Sequence, residues 1–298
     1  MPPLVNYDSA QKLSAFLDEQ GLGMQKKFGQ NFLINPGARK KLLDALEISR
    51  GDGVWEIGPG LGAMTGGLLE RGAVVTAFEI DRGFSRVLKE LFHDQERFRL
   101  IEGDVFKTWG TVKEAAPFLL GNLPYNIGAA LLAGFIEQNR FFTRMVVTLQ
   151  RETANRMIAS PGSKDYSSFS VLCASAYTVT PLLVLKGPSF YPVPKVESQG
   201  LRLDLRTDMV PGEYPVFFRA LVRSLFSSRR KTLRNNLQNF VLSGIINKDA
   251  LGNKKRVQEL CMTVLAASSI DPHERAETLG YEAFITLART LEDISGRI

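Results

Sequence analysis

Val54-Trp55-Glu56-Ile57-Gly58-Pro59-Gly60-Leu61-Gly62-Ala63-Met64-Thr65 reads as a strand, a glycine turn and the start of a helix. The apolar run is short enough for a buried strand, and the glycines allow both a sharp turn and close approach of a ligand to the backbone. Such a βαβ opening places a binding crevice beyond the carboxyl ends of the strands. Gly58-x-Gly60-x-x-Ala63 also satisfies the looser dinucleotide pattern, so the glycines by themselves leave the cofactor open. Glu56 narrows the choice. A carboxylate just ahead of the glycines repels a pyrophosphate but suits a ligand carrying an ammonium group and a sulfonium, which describes S-adenosylmethionine.

The strands that follow repeat the pattern of a polar group at the carboxyl end. Residues Ala73 to Ala77 read as a strand leading to Phe78-Glu79-Ile80-Asp81, and Glu79 lies 21 residues after Gly58, where a βαβ unit puts the acid that holds ribose hydroxyls. Ile80 belongs to the same site. Phe98 to Ile101 leads to Glu102-Gly103-Asp104-Val105, which sets Asp104 to accept from an adenine amino group and Val105 against the ring. Ala116 to Leu120 leads to Gly121-Asn122-Leu123-Pro124-Tyr125-Asn126. The exocyclic amine of a nucleobase is a poor nucleophile because its lone pair is delocalised into the ring. Two acceptors, the Asn122 side-chain oxygen and a backbone carbonyl held by Pro124, would bind its hydrogens and push the nitrogen toward tetrahedral geometry. Pro124 fixes its own φ and biases Leu123 to an extended conformation, which aims that carbonyl. Tyr125 offers an aromatic face to an extruded base.

Outward from this centre, Met145 to Leu149 and Thr180 to Leu185 read as further strands, and Leu201 to Leu205 has a clean period of two. Between the last pair, Phe190-Tyr191-Pro192-Val193-Pro194-Lys195-Val196 carries two prolines that stiffen a loop and would present Phe190 to a flipped base. Toward the amino end, Leu13, Phe16 and Leu17 form one apolar stripe. Lys26-Lys27-Phe28-Gly29-Gln30-Asn31-Phe32-Leu33-Ile34 reads as an arm laying Asn31 and Leu33 over a ligand, and residues 36 to 48 return to helical spacing.

A chain of 298 residues, 44% hydrophobic and 23% charged, fits an ordinary globular protein of about two domains. No apolar run approaches the ~18 residues of a membrane span. Asp8, Asp18 and Glu19 interrupt the first twenty residues, so neither a secretory nor a transit peptide is read and a cytoplasmic location is expected. Cys173 and Cys261 are the only cysteines, and His93 and His273 sit in no motif, so no metal site, disulfide framework or histidine-based hydrolase is expected. The net charge of +6 is uneven: Tyr214 to Arg256 holds ten basic residues against the single acid Asp249. Such a block attracts a polyanion. Pro211-Gly212 marks a boundary between expected domains 1–207 and 208–298. Beyond it Phe217, Leu221 and Leu225 fall on one helical stripe and Arg219 and Arg223 on another. Arg223, Arg229, Arg230, Lys231 and Arg234 would engage phosphates, which gives affinity without sequence readout.

Taken together, Gln30-Asn31-Phe32-Leu33, Glu56-Ile57-Gly58-Pro59-Gly60, Glu79-Ile80-Asp81, Gly103-Asp104, Asn122-Leu123-Pro124-Tyr125-Asn126, Phe190-Tyr191-Pro192-Val193-Pro194-Lys195-Val196 and Phe226-Ser227-Ser228-Arg229-Arg230-Lys231 resemble the small-subunit ribosomal RNA adenine N6,N6-dimethyltransferase family. The resemblance runs from Phe28 to about Leu291. It implies an α/β, Rossmann-like methyltransferase domain followed by a small helical domain. It also implies S-adenosylmethionine contacts at Asn31, Leu33, Gly58, Glu79, Asp104 and Asn122, to which the residue-level reading adds Glu56, Gly60, Ile80 and Val105. Asn122, Leu123, Pro124, Tyr125 and Phe190 would hold the target adenine. The implied reaction dimethylates two adjacent adenines in a hairpin near the 3′ end of small-subunit ribosomal RNA during subunit assembly, by in-line attack of N6 and without metal or covalent intermediate. Two rounds per adenine suit a small neighbour such as Gly121. The implied partner is the RNA of the immature small subunit, with no membrane, and a monomer is the simpler expectation. The chain departs from the family at Gly128-Ala129-Ala130, where relatives carry a Ser or Thr helix cap, and Val241 to Ser269 is longer than in bacterial relatives. The competing readings are the sister family that methylates large-subunit RNA, a nicotinamide oxidoreductase, and a non-catalytic assembly factor.

Overall fold

The computed structural model describes residues 5–24, 29–114, 116–207, 217–244 and 253–296. The Pro211-Gly212 boundary, the Lys26 to Phe28 part of the arm and residues 245–252 of the Val241 to Ser269 segment lie outside the described residues. The chain runs α1 (Ala10–Glu19), β1 (Phe32–Leu33), α2 (Pro36–Ala45), β2 (Gly53–Ile57), α3 (Ala63–Glu70), β3 (Val74–Glu79), α4 (Arg82–Leu91), β4 (Phe98–Glu102), α5 (Val105–Thr108), β5 (Phe118–Asn122) and α6 (Gly128–Glu137). It continues through β6 (Arg144–Gln150), α7 (Arg151–Met157), α8 (Ser168–Ala176), β7 (Tyr177–Leu185), β8 (Phe190–Tyr191) and β9 (Ser198–Leu205). After residue 216 come α9 (Phe218–Leu225), α10 (Leu233–Leu242), α11 (Lys254–Ala267) and α12 (Tyr281–Ser295).

One sheet has the order β4-β3-β2-β5-β6-β9-β7. Strands β4, β3, β2, β5 and β6 are parallel, and β9 runs antiparallel to β6. The strand order reverses between β2 and β5, and at that switch point the two crossovers leave in opposite directions and open a crevice at the carboxyl ends. β2 and β6 are buried along nearly their whole length, as strands covered on both faces must be. Strand β5 begins later than its apolar run, at Phe118, because Pro117 has no N–H for the ladder. It also ends later, so Gly121 and Asn122 are its last two residues.

The chain divides into two compact units. The first comprises Met1–Leu132, Phe141–Ala154 and Val179–Leu205, and the second Ala133–Arg140, Asn155–Thr178 and Arg206–Ile298. The second unit is thus built from three stretches of chain. Its core joins Val171 and Leu172 of α8 to Leu221 and Leu225 of α9, Leu237 and Phe240 of α10, Val264 of α11 and Leu287 of α12. Tyr166 is buried there and donates to the Leu279 carbonyl, 2.7 Å away. On α9 the fully buried positions are Phe218, Leu221, Val222 and Leu225, while Phe217 is the half-buried N-cap.

Candidate active site

A cavity of about 1090 Å³, counted with its open mouth, lies in the first unit at the carboxyl ends of β2, β3, β4 and β5. Asn31, Leu33, Gly58, Gly60, Glu79, Ile80, Asp104, Val105, Asn122, Leu123, Pro124 and Tyr125 all line it. The glycine turn explains one wall. Gly58 and Gly60 have φ of +67° and +60°, which a side chain adopts only with strain. A Cβ at Gly58 would meet no atom within 4 Å, so the peptide here faces open space.

Two carboxylates stand behind that wall. Glu79, at the end of β3, is 5% exposed and accepts from the Gly60 N–H at 3.2 Å and the Asp81 N–H at 2.8 Å, so it braces the turn. Burial pushes its pKa up to about 7, against the pull of those amides. Glu56, on β2, is 1% exposed and accepts from the Thr65 hydroxyl at 2.6 Å. Burial pushes it up to about 7 as well, and the nearby Glu79 charge adds to the effect. Glu56 does not itself line the cavity, and its Oε1 has no hydrogen-bond partner among the described residues. Asp104 caps α5 by accepting from the Phe106 N–H at 3.0 Å. Tyr7, which belongs to no motif, lines the cavity and donates to the Leu61 carbonyl at 2.9 Å. Burial pushes its phenol up to about 12.

The arm crosses the opposite side. β1 pairs antiparallel with β8, with Leu33 opposite Phe190, and Gln30 Nε2 donates to Asp81 Oδ2 at 3.1 Å. Arg39, 8% exposed, donates to the Leu33 carbonyl at 2.7 Å and holds the strand down. Asn122 Nδ2 donates to the Asn31 carbonyl at 2.7 Å, and Asn122 Oδ1 accepts from the Thr148 hydroxyl. The Leu123 N–H donates to the Thr148 carbonyl at 3.2 Å, and no hydrogen bond reaches the Leu123 carbonyl from the described residues. The Pro124 carbonyl accepts from the N–H groups of Ile127 and Gly128 at 3.1 and 3.0 Å. This backbone pair starts α6 without the Ser or Thr cap that Gly128-Ala129-Ala130 lacks. The Tyr125 hydroxyl lies 2.6 Å from Ser198 Oγ, on β9, which fixes the tilt of a half-buried ring.

Two expectations are corrected. Phe190 is not presented to the cavity: it is 1% exposed, packed with Leu33, Leu42 and Leu185, and absent from the lining. Pairing of β8 with β1 draws it inward, a long-range contact that outweighs the stiffness of the proline loop. Gly121 does not widen the pocket. A Cβ there would lie 2.6 Å from Leu123 Cδ2, so the glycine makes room for Leu123 to pack.

In the second unit, Arg229, Arg230 and Lys231 share the turn between α9 and α10. Asn236, 1% exposed, clasps this turn by donating to the carbonyls of Leu225 at 2.8 Å and Ser228 at 3.2 Å. Arg223 pairs with Glu137 and Arg229 with Glu277, whereas Arg230 and Lys231 are exposed and Arg234 is half-buried. Among the described residues, no helix is long and apolar enough to cross a membrane and no cluster of His, Cys, Asp and Glu could hold a metal.

A glycine-turn cavity at the switch point of this sheet, closed by an Asn-Leu-Pro-Tyr strand end, defines a Rossmann-like methyltransferase. The family model of ribosomal RNA adenine dimethylase matches residues 21–267. The chain is 44% identical over 288 residues to the ribosomal RNA small subunit methyltransferase A of Treponema pallidum (strain Nichols), covering 96% of this chain and 97% of the relative. It is 40% identical over 302 residues to the protein of the same name from Treponema denticola, covering 100% and 97%. Among solved structures, a dimethyladenosine transferase from Plasmodium falciparum superposes with a TM-score of 0.74 at 26% identity, covering 88% of this chain and 97% of the other. The 23S rRNA methyltransferase ErmE shares the fold, with a TM-score of 0.60 at 18% identity over 87% of this chain and 99% of the other. The chain belongs to the ribosomal RNA adenine dimethylase family, and it is an enzyme that methylates adenine in ribosomal RNA.

Proposed function

We propose that the chain transfers methyl groups from S-adenosylmethionine to N6 of two adjacent adenosines in the 3′-terminal hairpin of small-subunit ribosomal RNA, giving N6,N6-dimethyladenosine during assembly of the subunit. The observation that carries this reading is that Asn122, Leu123 and Tyr125 open into the same cavity as the glycine turn and the strand-end acids. A cofactor on the glycine-turn wall and a base on the Asn122 wall can therefore meet within it. The 44% and 40% identity to ribosomal RNA small subunit methyltransferases A, over nearly the full chain, supports the choice of RNA.

The residues present fit the methyl donor. The backbone at Gly58 faces open space, Glu79 offers a buried carboxylate at the β3 end, and Glu56 Oε1 is an unmet acceptor just behind the turn. Gly58, Gly60, Glu79 and Asp104 would hold it, with Ile80 and Val105 against its base and Asn31 and Leu33 on the arm side. When bound it supplies an electrophilic methyl group on a positively charged sulfur. The chain's own contribution is positional. Asn122 Oδ1 and the Leu123 carbonyl accept the N–H groups of the adenine amine, which localises its lone pair and stabilises the positive charge that develops on nitrogen. Tyr125, fixed by Ser198, stacks on the base. In-line geometry then removes most of the entropic cost of the encounter. In the second unit, the exposed Arg230 and Lys231, joined by Arg223, Arg229 and Arg234, engage RNA phosphates.

The test is methyl transfer from labelled S-adenosylmethionine to small ribosomal subunits lacking the modification, with nuclease digestion and mass analysis. Dimethyladenosine from the 3′ hairpin is expected. Label confined to large-subunit RNA would move the protein to the sister activity, and tight subunit binding without transfer would leave only an assembly factor.

A further inference from the structure

Thr148 is 1% exposed and stands beside Asn122 as its Cα partner across the β5–β6 pair. It is the one polar side chain in the run Met145-Val146-Val147-Thr148-Leu149, whose other members are buried and apolar. A buried hydroxyl costs free energy unless it is bonded, and this one donates to Asn122 Oδ1. At the other end of the amide, Nδ2 donates to the Asn31 carbonyl at 2.7 Å. A carbonyl only accepts, so a flipped Asn122 would set oxygen against oxygen there, whereas the Thr148 hydroxyl could accept from a flipped amide as well as donate to this one. The Asn31 carbonyl therefore sets the sense of the amide, and the Thr148 hydroxyl then fixes the direction of its oxygen. Its oxygen has two acceptor positions, of which Thr148 fills one.

We propose that Thr148 is a positioning residue for methyl transfer: it locks the Asn122 amide so that the remaining lone pair of Oδ1 faces the cavity, accepts an amine N–H and rejects a ring carbonyl. This rests on the adenine N6 reading of the site and deepens it. The consequence is greatest in the second round. An unmodified amine offers two hydrogens to two acceptors, whereas the monomethylated amine offers one. Its placement then leans on a single well-aimed acceptor.

The experiment compares the full-length wild type with Thr148→Val and Thr148→Ser on small subunits lacking the modification. It reads kcat, KM for the subunit, the S-adenosylmethionine Kd, Tm and the ratio of monomethyl- to dimethyladenosine. Thr148→Val is expected to lower kcat about 10-fold, the size of one lost hydrogen bond in the rate, and to raise the monomethyl share, while Kd and KM stay within about twofold. Thr148→Ser, which keeps the hydroxyl, is expected to restore both readouts. Should the valine variant not fold, Thr148→Ala removes the same hydroxyl and is expected to show the same split. Wild-type kcat and product ratio in the variants lacking the hydroxyl would overturn the proposal. So would equal losses in the valine and serine variants, or a Kd that weakens in step with kcat, because each makes Thr148 a packing residue. Wild-type protein that forms no dimethyladenosine would sink the underlying reading instead.

Discussion

Across the cavity, the wall built by β2 and β3 is backed by two buried carboxylates, Glu56 and Glu79, whereas the wall built by β5 presents only neutral groups, the Asn122 amide, the Leu123 carbonyl and the Tyr125 ring. The first wall suits a cationic ligand through charge held in a dry place, and both of its acids titrate near neutrality as a result. The second works by aim, through a strand end, a proline and hydrogen bonds from neighbouring elements. Binding of the cofactor should therefore follow pH and charge, while the chemical step should follow the geometry of one amide.

The largest effect is expected on the neutral side. Asn122→Ala removes an acceptor from the reacting nitrogen and is expected to lower kcat by about 10²–10³-fold, the range seen when one preorganised polar group is taken from a transition state. The Kd for S-adenosylmethionine should change far less, which equilibrium titration beside single-turnover kinetics will show. A comparable loss of affinity would erase the contrast between the walls.

Next comes the charged side. Glu56 has a folded pKa of about 7 against an ordinary value near 4.5, so the folded protein holds this proton more tightly than the unfolded chain does. The ligand-free protein is then most favoured by this group below the unfolded value, and that stability is lost as pH rises through about 7. The full span is on the order of 3 kcal/mol. Thermal unfolding between pH 5 and 8 should show this decline, and Glu56→Gln should reduce it, with Glu79, raised to about 7 as well, supplying the remainder. Cofactor affinity should move oppositely and tighten as pH rises through the same range, because the carboxylate form is the one that attracts a cation. A smaller effect is expected for Glu79→Gln. It loses the charge and keeps an acceptor for only one of the Gly60 and Asp81 amides, which bond different carboxylate oxygens, so a weakening of cofactor Kd of about 10-fold is expected with kcat nearly unchanged.

The charged wall was the more legible of the two in the sequence. The glycine turn and the acids at the ends of β2, β3 and β4 follow from spacing within single βα units, and a local pattern is enough to place them. What the spacing does not carry is depth: the strand pattern sets Glu56 next to the turn but not that its carboxylate is fully buried behind it, tied to Thr65. The neutral wall depends on chain-distant partners. Thr148 is 26 residues from Asn122 and Ser198 is 73 from Tyr125, and each finds its partner only once β6 is laid beside β5 and β9 beside β6. Phe190 was misplaced for the same reason, since its burial comes from pairing with β1, more than 150 residues earlier. Tyr7 carried no signal. The boundary near Pro211 likewise gives no hint that Asn155–Thr178 builds part of the second unit's core, because a composition shift marks a linker and not which segments pack together.

The smallest effect sharpens the comparison by leaving both walls intact. On the turn between α9 and α10, Arg229 already pairs with Glu277, an exposed contact worth little, whereas Arg230 and Lys231 are exposed and make no ion pair among the described residues. If those two meet RNA phosphates, each removed contact lowers the slope of log affinity against log salt by about one and weakens binding evenly across sequences. The double variant Arg230→Ala, Lys231→Ala is thus expected to reduce the salt slope for subunit binding by about two. Its kcat at saturating subunit and its cofactor Kd should match the wild type, because the Asn236 clasp that shapes the turn is untouched. Filter binding across a salt series reads the slope. An unchanged slope would assign the phosphate contacts to other residues, and a fall in kcat at saturation would mean that the turn helps to place the adenine as well as to hold the RNA.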